Sequence, residues 1–188
     1  LQKDGGIIIA TQLAAKIWLP EGLDLIGFMY ADRFLNRPDF RASERAFQII
    51  RELAGRLNPE GQMIIQTFNP ENKTLLLAAS GKNEEFYRYE LEIRKKFDYP
   101  PFSRLLKISL DDRDRRILLK NAQELKGILT KFKNIEIISQ GEQIKNLLKS
   151  SFSASFIVKV KNFSQGRHLE FLEILSENFS DKCRVEFN

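Results

Sequence analysis

One cysteine, one histidine and one tryptophan occur in 188 residues, and each scarcity closes off a class of chemistry. A lone Cys183 cannot form an intrachain disulfide or a cysteine-cluster zinc site, which points to a reducing compartment and a cytoplasmic protein. Its basic neighbours Lys182 and Arg184 would lower the thiol pKa. With no partner histidine and no pocket, it reads as a structural thiol rather than a nucleophile. His168 has no metal-ligand companions, so a solvated or capping role is expected. The longest apolar runs, such as Gly6 to Ala10 and Leu25 to Met29, are far too short to span a bilayer. The opening Leu-Gln-Lys-Asp lacks a following apolar region, so no signal peptide is expected, and the missing initiator Met suggests a fragment. The phosphate-cradling pattern G-x-x-x-x-G-K-[ST] does not occur. Internal repeats and low-complexity segments are also missing.

The composition that remains is 43% hydrophobic and 29% charged, as in an ordinary soluble protein with a real core. The net charge of +5 is unevenly placed. Residues 1–82 hold 10 basic and 9 acidic side chains, whereas residues 83–188 hold 20 and 16. The excess in the second segment leans toward a polyanionic partner.

Three segments read as strands of a first unit: Gly6 to Ala10, Leu25 to Met29 and Gln62 to Thr67. The first two are continuous apolar runs suited to a parallel sheet covered on both faces. Between the second and third lies PDFRASERAFQIIRELAGRL. Asp39 or Ser43 would cap this helix, with Ala46, Phe47, Ile49, Ile50, Leu53 and Ala54 along one side. Strand, helix and strand with short links predict an α/β sheet with flanking helices. From Asn83, NEEFYRYELEIRKKF predicts a charged helix stopped by Pro100-Pro101. A new pattern follows: strand Leu105 to Leu110, helix Arg113 to Phe132, strands Ile135 to Ser139 and Phe152 to Lys161, helix His168 to Phe179 and strand Arg184 to Phe187. This β-α-β-β-α-β order is the split βαβ, ferredoxin-like plan. It places helices on one sheet face and leaves the other for a ligand or a neighbouring domain. The expected division is residues 1–82, a connector over 83–103, and an α+β domain over 104–188.

The succession ATQLAAK, YAD, PDFRASERAFQIIRELAGR, IIQTFNPE and YELEIRKKFDYPPFSRLLKIS closely resembles the C-terminal part of the PriA (primosomal protein N′) family of replication-restart DNA helicases. The resemblance runs from about Gly6 to Ile108 with almost no gaps, and more weakly through Lys149 to Lys159 and the terminal strand. PDFRASERAF followed by AGR, together with YPPFSRL, is specific in combination. The resemblance implies that residues 1–82 end a second RecA-like helicase lobe and that residues 104–188 are the family's C-terminal domain. The first lobe and the zinc cysteines have no counterpart here. No cofactor is therefore expected in this chain, ATP with Mg²⁺ and zinc belonging to those other domains. Phosphoryl transfer needs a phosphate cradle, a metal, a positioned water and a transition-state arginine. This chain offers at most the last, so the expectation is no ATP hydrolysis by itself.

In active members of the family the helix ends Q-x-x-G-R-x-G-R. Here it reads Glu52-Leu53-Ala54-Gly55-Arg56-Leu57-Asn58-Pro59. Gly55 and Arg56 match, while Glu52, Asn58 and Pro59 replace the glutamine, the second glycine and the final arginine. A carboxylate repels a triphosphate, and proline has no guanidinium; Arg51 is the neighbouring arginine that would have to substitute. The family's G-T-Q-x-x-x-K-G-H survives as Thr11, Gln12 and Lys16, with Ala10, Ile17 and Trp18 in place of the two glycines and the histidine. These five matches are motif remnants, and no residue is assigned as catalytic. Beside this stands a plainer reading, in which Arg56 pairs with a carboxylate such as Glu52 at helical spacing. Trp18 then fills a core or interface, and Asp32, Asp39 and Glu44 are helix-start and packing carboxylates.

In the C-terminal domain the family carries K-G-R-Y-R-Y on its penultimate strand. Lys149, Phe152 and Lys159 remain, while both arginines have become serine. The resemblance makes these three the candidate DNA contacts; the alternative is that Phe152 and Phe156 are sheet core and the lysines solvated. The family also binds the acidic, apolar tail of single-stranded DNA-binding protein, for which Arg167 at a helix start is the candidate anion receptor. The expectation is thus a nucleoid-associated monomer without membrane contact, binding single-stranded or forked DNA, that tail and other primosome proteins. Two alternatives stay open: part of an active ATP-dependent 3′-to-5′ helicase whose first lobe lies outside this chain, and a non-catalytic protein-interaction scaffold. An RNA-binding reading lacks the aromatic ribonucleoprotein consensus.

Overall fold

The structure is a computed structural model and describes residues 5–11, 20–146, 151–161, 167–179 and 183–187. Contacts divide the chain into two units, Leu1–Glu92 and Ile93–Asn188. Each buries its own core. One is built around Ile26, Phe28, Phe47, Ile50 and Phe86, the other around Leu106, Ile108, Phe156, Val158 and Leu118.

In the first unit, β1 (Leu23–Phe28) runs parallel to β2 (Leu57–Ile65). A parallel pair needs a crossover, and helices α1 (Asp32–Leu35) and α2 (Ala42–Ala54) supply it. The predicted apolar side of α2 is the buried one: Ala46, Phe47, Ile49, Ile50 and Leu53 all lie in the core. Asp39 sets its entry without capping it directly. Its carboxylate accepts the Arg41 N–H at 2.9 Å and pairs with Arg45 at 2.6 Å. Helix α3 (Lys73–Ala79) begins at Asn72, whose side chain accepts the N–H groups of Thr74 and Leu75, a polar cap for donors the helix cannot satisfy. Helix α4 (Asn83–Lys96) follows, with Glu84 and Glu85 in its first turn and Arg94, Lys95 and Lys96 in its last, charges that complement the helix dipole. Phe86 of α4 stacks on Phe47 of α2 with ring centroids 3.8 Å apart.

Two expectations for this unit are corrected. Gly6 to Ala10 is not a strand: Ile7 and Ile9 are almost fully exposed, and the segment joins no ladder among the described residues. An apolar run becomes a strand only where a neighbour offers it hydrogen bonds, and β1 and β2 pair with one another. The third strand starts at Leu57 rather than Gln62. Register slips between the pairs Leu23–Leu57 and Leu25–Gln62, and the surplus residues of β2 take in Pro59 and Gly61. Pro59 is exposed on this edge strand, where the lack of an N–H is tolerated. Gly61 is required sterically, because a β-carbon there would stand 2.7 Å from the Leu23 carbonyl oxygen.

The second unit is the α+β fold expected. Its antiparallel sheet has the order β4 (Ile135–Asn146), β5 (Ser151–Val160), β3 (Arg104–Asp112), β6 (Cys183–Phe187). Helix α5 (Arg115–Leu129) links β3 to β4, and α6 (Arg167–Phe179) links β5 to β6. This is the split βαβ arrangement in both order and direction. Even-numbered residues of β3 and β5 (Leu106, Ile108, Leu110, Ala154, Phe156, Val158) pack on Leu118, Ala122, Leu125 and Leu129 of α5 and on Leu175 and Phe179 of α6. The alternate residues form the face without helices.

Candidate functional site

Around Gly55 and Arg56 the chain forms framework. Gly55 ends α2, its N–H donating to the Arg51 carbonyl at 3.1 Å, and Arg56 donates to the Leu53 carbonyl at 2.9 Å. The Arg56 carbonyl in turn accepts the Leu23 N–H at 3.0 Å. Asn58 donates its side-chain amide to the Asp24 carboxylate and accepts the Glu60 N–H at 2.9 Å. Asn58 and Pro59 therefore belong to the start of β2 rather than to a loop facing a ligand. Arg51, the candidate substitute, has its guanidinium against the Gly81 turn, 3.4 Å from where a β-carbon of Gly81 would stand. Thr11 is exposed outside any helix or strand. Gln12, Lys16 and Trp18 lie outside the described residues.

Asp32 is the organised carboxylate of the first unit. It opens α1 and is buried, yet its oxygens accept the Phe68 N–H and the Thr67 hydroxyl, each at 3.0 Å. The Phe68 hydrogen bond holds the carboxyl below its usual pKa; desolvation opposes it, and the Thr67 hydroxyl adds a lesser effect in the same direction as Phe68. Asp32 thereby clasps the segment leaving β2 to the segment leaving β1. Spacing alone marked it only as a helix-start carboxylate, because its partners lie 35 and 36 residues away.

In the second unit the predicted contacts are differently disposed. Phe152 is partly buried and packs on the core side of the sheet. Lys159 is buried on the opposite side; its ammonium donates to the Phe97 carbonyl at 2.8 Å and lies 4.7 Å from the Tyr99 ring centroid. Lys161 bridges Glu136 at 3.1 Å and Asp98 at 3.4 Å, and these two carboxylates, Glu136 foremost, raise its pKa. The two lysines fasten the turn that contains Pro100-Pro101 to β5, and the Pro100 carbonyl accepts from Arg94 at 3.3 Å. YPPFSRL is thus a docking turn of this unit. Lys149 lies outside the described residues, as do the side chains of Arg167 and His168, although Arg167 does begin α6. Burial pushes the Cys183 thiol above its ordinary pKa, correcting the expectation that basic neighbours would lower it.

The helix-free face of the second unit was legible as a face but not in its content. Ser109 and Ser153 are buried in it, Lys107 is half-buried, and Arg184 and Glu186 stand exposed. Lys107 pairs with Glu186 at 3.3 Å, whereas Arg184 has no carboxylate partner among the described residues. Among those residues no group of three or more His, Cys, Asp or Glu is placed to hold a metal ion. No helix there is long and apolar enough to cross a membrane.

No family model matches the chain. Comparison with curated proteins gives relatives named replication restart protein PriA. The Rickettsia conorii protein is 31% identical over 169 residues, covering 88% of this chain and 26% of its own length. The Treponema pallidum protein is 36% identical over 127 residues, covering 66% and 19%, and that of Thermotoga maritima 28% over 161 residues, covering 85% and 22%. The chain spans about a quarter of the length of the first of these relatives.

Proposed function

From the premise that the chain belongs to the PriA family of replication restart proteins, whose C-terminal part it matches, we propose that it serves replication restart by binding DNA without hydrolysing ATP on its own. The observation that carries this reading is the alignment itself, which extends over most of the chain rather than over one unit. In this reading residues 1–82 descend from the end of a RecA-like lobe, and the second unit supplies the DNA grip.

The helix-free sheet face supports that grip, with exposed Arg184 and half-buried Lys107 beside a serine floor suited to a phosphodiester backbone. Lys149 adds a phosphate contact, and Lys159 acts indirectly by holding the docking turn. Arg167 receives the acidic tail of single-stranded DNA-binding protein, and the chain works as a cytoplasmic monomer with other primosome proteins. Loss of ATPase competence is supported by Asn58 and Pro59 being built into β2 and by the lack of a phosphate-loop pattern.

Fluorescence anisotropy with single-stranded and forked DNA across a salt series tests the reading. Arg184→Ala and Lys149→Ala are each expected to weaken binding and reduce the salt slope by about one. No binding at low salt would sink the claim and leave the scaffold alternative.

A further inference from the structure

Open parallel sheets bind ligands beyond the carboxyl ends of their strands. At those ends of β1 and β2 two aromatic rings stand in solvent. Tyr30 follows β1 and is half-exposed; Phe68 follows β2 and is 83% exposed. The rings are perpendicular, with centroids 5.9 Å apart. Exposed rings by themselves mean little. Here, however, the backbone beneath them is tightly determined.

Tyr30 adopts a left-handed φ of 55°, which is costly for a bulky residue and persists only where the surroundings enforce it. Its N–H donates to Gln66 Oε1 at 3.2 Å, and the next N–H, of Ala31, donates to the Gln66 carbonyl at 2.9 Å. Gln66 donates back to the Phe28 carbonyl at 2.9 Å. From the other side, the buried Asp32 carboxylate holds the Phe68 N–H and the Thr67 hydroxyl. Two strand exits are cross-tied, and each carries a ring that is not buried. Core packing does not account for this, because the rings fill no core. Arg33 and Arg37, which follow Tyr30 in the chain, are exposed and have no carboxylate partner among the described residues, whereas Lys73, after Phe68, lies over the Tyr89 ring.

We propose that Tyr30 and Phe68 form a stacking site for a nucleobase, with Arg33 and Arg37 offering charge to the adjoining phosphate. Aromatic faces stack on any base, and nearby guanidinium groups hold the backbone without reading sequence. The base would come from a single strand or from a mononucleotide, and either source presents the same π-face. The site lies in the first unit and does not depend on the DNA grip proposed for the second.

The test measures anisotropy of the whole 188-residue chain with three probes: a labelled oligothymidylate, an abasic oligomer of equal length and a fluorescent ATP analogue. Phe68→Ala, at an exposed position, is expected to weaken oligothymidylate binding about tenfold. Tyr30→Asn removes the other ring while tolerating the left-handed backbone and should do the same. Phe68→Tyr should restore affinity, and unchanged thermal midpoints verify folding. The abasic oligomer should not distinguish parent from variants. A loss with oligothymidylate assigns the site to a single strand, and a loss with the ATP analogue alone assigns it to a mononucleotide; both uphold stacking. Equal affinities of parent and variants for both base-bearing probes overturn the proposal, as does an equal loss with the abasic oligomer. If Arg184→Ala abolishes binding while Phe68→Ala does not, this site falls and the DNA grip of the second unit stands.

Discussion

Asp32 shows how much of a loop's shape can rest on one carboxylate. Its folded pKa lies below the ordinary 3.8, chiefly through the Phe68 hydrogen bond. Its contribution to stability is therefore complete above the unfolded-state pKa and is lost as pH falls through the lower, folded value. Asp32→Asn can accept only one of the two hydrogen bonds. It is expected to lower the thermal midpoint at neutral pH and to flatten the decline below about pH 4, as scanning calorimetry across that range would show. Lys159 is the second instructive residue. Sequence placed it correctly as a basic position on β5, but not its partner, since the Phe97 carbonyl lies 62 residues earlier. Lys159→Met keeps much of the volume and strands that carbonyl, at a cost of about 2 kcal/mol in chemical denaturation. DNA affinity should fall only alongside that loss of stability. A selective loss of affinity at unchanged stability would instead make Lys159 a direct contact.

At the scale of elements, legibility followed the length of the periodic pattern. Helix α2 repeats its apolar face over 13 residues, and the second unit alternates over long strands, so both were readable without knowledge of tertiary contacts. Short apolar runs were not, because a strand exists only with a partner, and partner choice is non-local. Gly6 to Ala10 has strand composition and no ladder, whereas β2 contains a proline and a glycine and is a strand because β1 pairs with it. The stacked Phe47 and Phe86 tie α2 to α4, and both are essentially inaccessible to solvent. Phe86→Ala should remove about 3–5 kcal/mol from the first unit through lost burial and the cavity left behind. Urea denaturation followed by amide exchange is the measurement: protection should fall in α2 and β1 and persist in β3 and β5, since the two cores share no residue.

At the scale of the whole molecule, the two units differ in composition and in architecture. The second keeps a complete split βαβ sheet and the larger share of positive charge. The first has its own helices and core, and Asn58 and Pro59 belong to the start of β2 in that framework. That difference decides what reversal would achieve. Restoring Glu52→Gln, Asn58→Gly and Pro59→Arg together recreates the arginine-bearing sequence, but it also removes the Asn58 hydrogen bonds to Asp24 and Glu60 that organise the start of β2. Even a well-placed guanidinium only stabilises charge that a phosphate cradle and a metal have first positioned, and no phosphate-loop pattern exists in the chain. Phosphate release measured with saturating single-stranded DNA should therefore stay at the buffer background for both the parent and the triple variant. The variant should also melt slightly earlier. Turnover that rises in the triple variant and vanishes on Arg56→Ala would mean that the first unit still completes a nucleotide site. The proposed restart role would then be that of a motor fragment rather than of the DNA-binding module proposed above.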